Sequence, residues 1–366
     1  MPFADELIGR DVARSLRRSL LAASPRAELG ALALAADALT DLSLRERADL
    51  LRDAILDDVP GDFATLARVV RTAGGQDPEF TGWMIWPVTS AVAARGVTED
   101  RAAFDDAMQL LAELTGRLTA EFAIRTLLRH DPDRALGTML EWTASPDEHV
   151  RRLASEGARP YLPWAVRVPE MLARPGVTIP ILDALVRDES EYVRRSVANH
   201  LNDLSRDRPD LVVDTAQRWI DTGNATTPAL VRHALRTLVK RGHPGALAVL
   251  GFAPADIDVD GPHLDERFVD WNGAVRFTAV LRNAGAEPAR IVVDYAVHHR
   301  RANGTLAAKV FKLTTTELAP GAEIRIERAH SFRPITTRKY YPGEHAIGLQ
   351  VNGVATPLAT FDLRPE

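Results

Sequence analysis

EHVRRLASEG, Glu148 to Gly157, recurs twice downstream in altered form. EYVRRSVANH spans Glu191 to His200, and ALVRHALRTL spans Ala229 to Leu238. The three superpose on Val150, Val193 and Val231. Each follows a segment of helical spacing: ALGTMLEW (Ala135 to Trp142), IPILDALVRD (Ile179 to Asp188) and LVVDTAQRWI (Leu211 to Ile220). Helix pairs that return about every 40 residues predict a HEAT-like α-solenoid, in which stacked neighbours share one core. The second helix of each pair is then expected on the concave side.

Working outward, the three- and four-residue spacing of apolar positions extends from Asp5 to about Leu250. Pro, Gly and Asp in DVPGD, TAGGQDPE, HDPD, SPDE and RDRPD supply breaks and N-caps. Past Ala253 the period becomes two. Ala274 to Asn283, Arg290 to Arg300, Ala307 to Leu318, Ala322 to Phe332 and Glu344 to Val351 read as strands separated by Gly- and Asn-rich turns. Six or seven short strands predict a small immunoglobulin-like β-sandwich. The boundary falls near GFAPADIDVDGP (Gly251 to Pro262), giving a helical domain over residues 1–252 and a sandwich over 253–366.

Composition narrows the chemistry. There is no cysteine, which excludes disulfides, thiolate metal sites and cysteine nucleophiles. No apolar run approaches the length of a membrane span, so no membrane partner and a cytoplasmic location are expected. A net charge of -5 argues weakly against nucleic-acid binding, although an overall balance hides local asymmetry. Lys240, Lys309, Lys312 and Lys339 are the only lysines, so almost all basic residues are arginine. Arginine suits phosphate through its planar fork, and a GC-rich genome also favours it.

The repeat alignment places a polar stripe opposite the core stripe. Arg152, Glu156 and Arg159 form it in one helix. Arg195, Asn199, Asn202 and Asp203, at i, i+4, i+7 and i+8, form it in the next. A solvated face with an Arg152–Glu156 ion pair is one reading. An arginine-lined curve that cradles an anionic rod is the other. Trp164 lies beyond Pro160 and Pro163 in RPYLPW. Its ring is either core, as most tryptophans are, or turned over the groove.

RRLASEGARPYLPWA (Arg151 to Ala165), DESEYVRRSVANHLNDLSRDRPD (Asp188 to Asp210) and HALRTLVKRG (His233 to Gly242) closely resemble the AlkC branch of the AlkC/AlkD DNA glycosylases. TAEFAIRTLL (Thr119 to Leu128) and LSLRERADLL (Leu42 to Leu51) resemble its upstream helices, and the end of the chain is similar to the immunoglobulin-like domain of a subset of that branch. The resemblance implies a HEAT-like solenoid followed by a β-sandwich, gripping double-stranded DNA that contains alkylated bases. It implies excision of cationic N-methylated bases without a deep base-binding pocket: 3-methyladenine, together with 3-methylcytosine and 1-methyladenine.

The chemistry asks for few groups. A cationic base is already a good leaving group, so the protein must stabilise an oxocarbenium-like sugar and guide water to C1′. Carboxylates and an aromatic face do this. By resemblance, Glu156, Trp164 and Asp203 match the family's catalytic positions, with Glu121 a further carboxylate. Glu121 reads equally as a partner that ties down Arg125 or Arg152. Candidate DNA contacts are Arg152, Arg159, Arg194, Arg195, Asn199, Lys240 and Arg241. Arg300, Arg301 and Lys312 are added from a stretch of the sandwich without acidic residues. Solvated loops are the alternative there.

No cofactor is required for such a hydrolysis, and the histidines show no metal-ligand spacing. Lys240 is the only lysine of the solenoid, so a Schiff-base lyase step has little support and a monofunctional glycosylase is expected. The resemblance places it with the bacterial nucleoid, and a monomer is expected. The competing reading is a HEAT-type scaffold that binds DNA or protein without catalysis.

Overall fold

The computed structural model describes residues 4–25, 27–336 and 338–365. The chain groups into two compact units, Met1–Leu211 with Thr222–Ala234, and Val212–Asp221 with Leu235–Glu366. The first is helical. Its helices begin where the sequence offers caps. Ser43 and Glu46 close a capping box on Leu44–Asp58. Asp62, Asp100 and Asp131 accept backbone N–H groups at the starts of Phe63–Gln76, Arg101–Thr115 and Pro132–Trp142. The Phe63–Gln76 helix runs through Gly74 and Gly75, where a break was expected, and stops only before Asp77.

Two helix pairs and one further helix follow the repeat. Pro132–Trp142 pairs with Glu148–Glu156, and Ile179–Leu185 pairs with Glu191–Leu204. Thr227–Ala234 then packs on Glu191–Leu204. The core stripe read from the sequence is buried: Val150, Leu153, Ala154, Val193, Val197 and Leu201. Two details depart from a regular repeat. The third copy breaks at Leu235, so that Arg236–Lys240 is a separate short helix. A long non-helical segment, holding only the short helix Pro169–Ala173, lies between Glu156 and Ile179.

The Glu148–Glu156 helix ends four residues before Pro160, not at the proline itself. Gly157 takes over at its end. A Cβ there would stand 2.7 Å from Ile124 Cγ2 and 2.9 Å from the Leu153 carbonyl, so only glycine lets the Ile124–His130 helix approach.

Among the described residues of the second unit, nine strands form two sheets. They are β1 (Ile257–Leu264), β2 (Phe268–Val269), β3 (Ala274–Asn283), β4 (Ala289–Arg300), β5 (Leu306–Leu318), β6 (Glu323–Ser331), β7 (Gly343–Val351), β8 (Val354–Ala355) and β9 (Ala359–Leu363). One sheet has the order β1-β3-β6; the other has the order β2-β9-β7-β4-β5, with β8 on β7. Alternating residues of both sheets, among them Phe277, Leu281, Val293, Val297, Ile347 and Leu349, share one core. The count exceeds six or seven because β1 occupies part of the segment read as a linker, and because β2 and β8 are only two residues long. The fold is a HEAT-like α-solenoid followed by a small β-sandwich. Two short helices, Arg236–Lys240 and Pro244–Val249, belong to the sandwich's unit, where Leu247 and Phe252 pack with Val292 of β4. Among the described residues, no helix is long and apolar enough to cross a membrane.

Candidate active site

Glu156, Arg159, Asn202 and Asp203 of the polar stripe are buried, whereas Arg195 on the same stripe is exposed. Glu156 ends its helix with only 5% of its surface exposed, and Asp203, in the last turn of Glu191–Leu204, with 6%. Both are held by Arg159. Its Nη1 donates to Glu156 Oε1 at 2.6 Å. Its Nε and Nη2 donate to the two oxygens of Asp203 at 3.0 and 3.3 Å, a planar fork on a carboxylate. Burial pulls the Arg159 guanidinium downward, but Glu156 and Asp203 more than offset that, so its pKa is raised.

Further donors reach both carboxylates. Ser196 donates to Glu156 Oε2 at 2.6 Å and stands 3.0 Å from the Ser155 hydroxyl. The Tyr161 backbone N–H donates to Asp203 at 3.3 Å. Glu121 sits in the turn that precedes the Ile124–His130 helix, not on a helix, and Arg152 donates to it at 2.9 Å. Arg152 also stands 3.7 Å from Glu156 and lies over the Tyr192 ring at 4.8 Å. Its pKa is raised, because Glu121 and Glu156 outweigh burial. The i,i+4 contact read from the sequence exists, but the shorter bond goes to Glu121.

Trp164 is 54% exposed, so its ring is not core. Its backbone has φ +61°, a left-handed conformation that costs a non-glycine residue on the order of 1–2 kcal/mol. Arg125 organises the approach to it. Fully buried, Arg125 donates to the carbonyls of Gly157 and Arg159 at 2.9 Å each and of Val166 at 2.5 Å. It pairs with neither Glu121 nor any other carboxylate at ion-pair distance among the described residues. Burial, with help from Arg167 and Arg159, lowers its pKa to about 10.

Glu121, Glu156, Arg159 and Trp164 line one cleft of about 290 Å³ with Trp83 and Phe122. Trp164 also borders a second cleft of about 380 Å³, with Leu7, Leu44 and Trp86, and its carbonyl accepts from Arg45. The first cleft thus joins carboxylates to aromatic faces, a lining suited to a cation. Among the described residues, no group of three or more His, Asp or Glu side chains is placed to hold a metal ion.

A family model described as "DNA alkylation repair enzyme" matches residues 116–238, the span that contains this network. A second, described as "Uncharacterised protein YhaZ, C-terminal Ig-like domain", matches residues 258–365. The protein YhaZ of Bacillus subtilis (strain 168) is 33% identical over 314 residues, 86% of this chain and 85% of that one. A solved structure, the Pseudomonas fluorescens alkylpurine DNA glycosylase AlkC bound to DNA containing an abasic site analog, is 35% identical. It matches over 100% of both chains with a TM-score of 0.84. The chain belongs to the AlkC-type DNA alkylation repair family.

The other candidate residues of this AlkC-type chain are placed differently from one another. Arg194 spends its guanidinium on the carbonyls of Asp188 and Glu189. Arg195 is exposed and pairs with Glu191 at 2.8 Å. Asn199 stands 2.9 Å from the His233 ring. Lys240 and Arg241 are exposed at the end of a helix in the second unit, while Arg301 and Lys312 are exposed and Arg300 half-buried on the sandwich. Sequence reasoning missed Ser196, Tyr161, Trp83 and Phe122. Only Ser196 left a clear signal: it takes the core position of Leu153 in the repeat, where a hydroxyl needs a partner.

Proposed function

We propose that this protein is a DNA glycosylase that hydrolyses the N-glycosidic bond of cationic N-methylated bases in duplex DNA. The substrates are 3-methyladenine, with 3-methylcytosine and 1-methyladenine. The observation that carries this reading is the convergence of two buried carboxylates, Glu156 and Asp203, on Arg159 beside a cleft walled by aromatic rings. The structural relative carries an abasic site analog, the product-like state of such a reaction.

In this reading the departing base leaves with its bonding electrons and is neutral once released. The positive charge passes to the sugar. Glu156, Asp203 and Glu121 oppose that charge, and the Trp164 face adds its quadrupole. A carboxylate oxygen accepts the proton of the attacking water. Arg159 pairs with both Glu156 and Asp203 in the buried site and holds them in place. Water serves as nucleophile, since no lysine lines the cleft among the described residues. That makes the enzyme monofunctional, leaving an abasic site. Arg152, Arg194, Arg195, Asn199, Lys240, Arg241, Arg300, Arg301 and Lys312 are the proposed DNA-facing groups.

The test is release of free base from methylated duplex DNA under single turnover. Glu156→Gln keeps the shape and is expected to slow release by about 10²- to 10³-fold with the fold retained. Full activity in that variant would mean that the buried ion-pair network is structural, and no release by the unaltered protein would leave the scaffold reading.

A further inference from the structure

Two arginines next to the site take no part in the network above. Arg167 and Arg206 lie over the ring of Tyr161, with guanidinium carbons 4.7 and 4.3 Å from its centroid. Both are exposed, and among the described residues neither has a carboxylate at ion-pair distance. Arg167 spends one nitrogen on the Pro160 carbonyl at 3.2 Å. The nearby acid, Asp207, accepts from the Tyr161 hydroxyl at 2.8 Å. Tyr161 is thus anchored at its hydroxyl and at its backbone, whose N–H donates to Asp203.

We propose that Arg167 and Arg206, ordered on the Tyr161 ring, form a phosphodiester-binding site beside the catalytic carboxylates. The proposal rests on the reading that this chain binds DNA and names a contact of that same site. Stacking satisfies the face of a guanidinium and leaves its N–H edges directed outward. Two such forks, held before binding, lose little rotamer freedom when a phosphate arrives. Their place in the chain fits this role. Tyr161 precedes Trp164 by three residues, and Arg206 follows Asp203 by three. A phosphate gripped here would fix the backbone of the strand whose sugar faces Asp203. The Asp207 carboxylate opposes an anion, and its bond to the Tyr161 hydroxyl explains its presence as an orienting group for the ring.

The experiment uses the full chain and fluorescence anisotropy of a duplex carrying a tetrahydrofuran abasic analogue, titrated at several salt concentrations. The double variant Arg167→Ala, Arg206→Ala is expected to bind about tenfold or more weakly and to lose about 0.9 from the log–log salt slope for each phosphate released. Tyr161→Ala should follow it, since the arginines lose their platform. Tyr161→Phe, which keeps the ring, should bind within about twofold of the unaltered protein. Both arginines are exposed, and a thermal midpoint checks that the variants fold. An unchanged slope and affinity in the double variant, or in Tyr161→Ala, overturns the site while release of 3-methyladenine still stands by itself. No binding of the duplex by the unaltered protein overturns both.

Discussion

Nη1 of Arg159 lies 2.6 Å from Oε1 of Glu156, three residues earlier in the chain. The opposite edge of the same guanidinium holds Asp203. The carboxylate side chains are only 7% and 8% exposed, so neither can rely on water for its charge. Removing the shared cation leaves buried Asp203 without a cation and Glu156 with only Arg152, at 3.7 Å. Arg159→Met is therefore expected to destabilise the protein by about 3–5 kcal/mol. Arg159→Lys keeps the charge but loses the fork, and should fall between. Urea unfolding of the three proteins checks the order, and an unchanged midpoint for Arg159→Met would remove the cation's structural role.

Trp164 separates stability from activity. Its ring is 54% exposed and its φ is +61°, so glycine fits its backbone better than tryptophan does. Trp164→Gly should leave the stability within about 0.5 kcal/mol of the original or raise it. Base release should slow by about 2- to 30-fold, the worth of one cation–π contact. Thermal unfolding and single-turnover release, measured side by side, decide it. Parallel losses in both would make the residue structural.

Arg125 acts through the backbone of that same segment. Its bonds to three carbonyls tie the end of the Glu148–Glu156 helix to the far side of the Trp164 loop. Arg125→Met keeps the volume and removes all three. The expected loss is about 3 kcal/mol or more, since each orphaned buried carbonyl costs about 1–3 kcal/mol. The loop from residue 157 to residue 168 should become the first site of limited proteolysis. Resistance equal to that of the unaltered protein would show that the loop is held by other contacts.

These three residues also show how far the sequence could be read. The strands were legible because alternation survives in them: β3 begins and ends where the period-two reading put it. The repeat was legible because Val150, Val193 and Val231 return in register, and all three are buried. Glu156 and Asp203 stood out as carboxylates on a polar face, and Trp164 as a ring just beyond Pro160 and Pro163. The burial of the two carboxylates did not, because helical spacing reports the face a residue occupies and not what covers it. The segment after Gly157 folds back over Glu156 and Asp203, and no local pattern encodes that return. For the same reason Arg159 reads as a surface cation and is in fact shared by two carboxylates. Arg125 is bound only to carbonyls, and carbonyl partners have no side-chain signature. β1 was missed because Gly261 and Pro262 in mid-strand look like a linker.

The sandwich adds a pH dependence independent of catalysis. His299, His330 and His345 are buried around Phe332, with ring centroids 5.6, 5.5 and 5.3 Å from it. Nε2 of His299 faces Nη1 of Arg338 at 2.6 Å. A guanidinium only donates, so this nitrogen accepts and the ring is neutral. Burial, then Arg338, lowers His299 to about 3 and His330 to about 4; burial also lowers His345. Unfolded, each titrates near its ordinary value of 6.5. Between those values the unfolded chain binds more protons than the folded one, so stability is full above pH 6.5 and declines as the pH falls toward 4. Asp294 opposes this. Burial raises its pKa to about 6, so it disfavours folding above that value and is relieved below it. Three histidines outweigh one carboxyl, and the unfolding midpoint of the full chain is expected to be lower at pH 5 than at pH 7.5. His330→Phe, which removes a ring whose Nε2 is buried without a partner, should flatten the slope. A midpoint that stays constant between the two pH values, or a slope untouched by that substitution, would show that the three rings remain solvated enough to titrate normally.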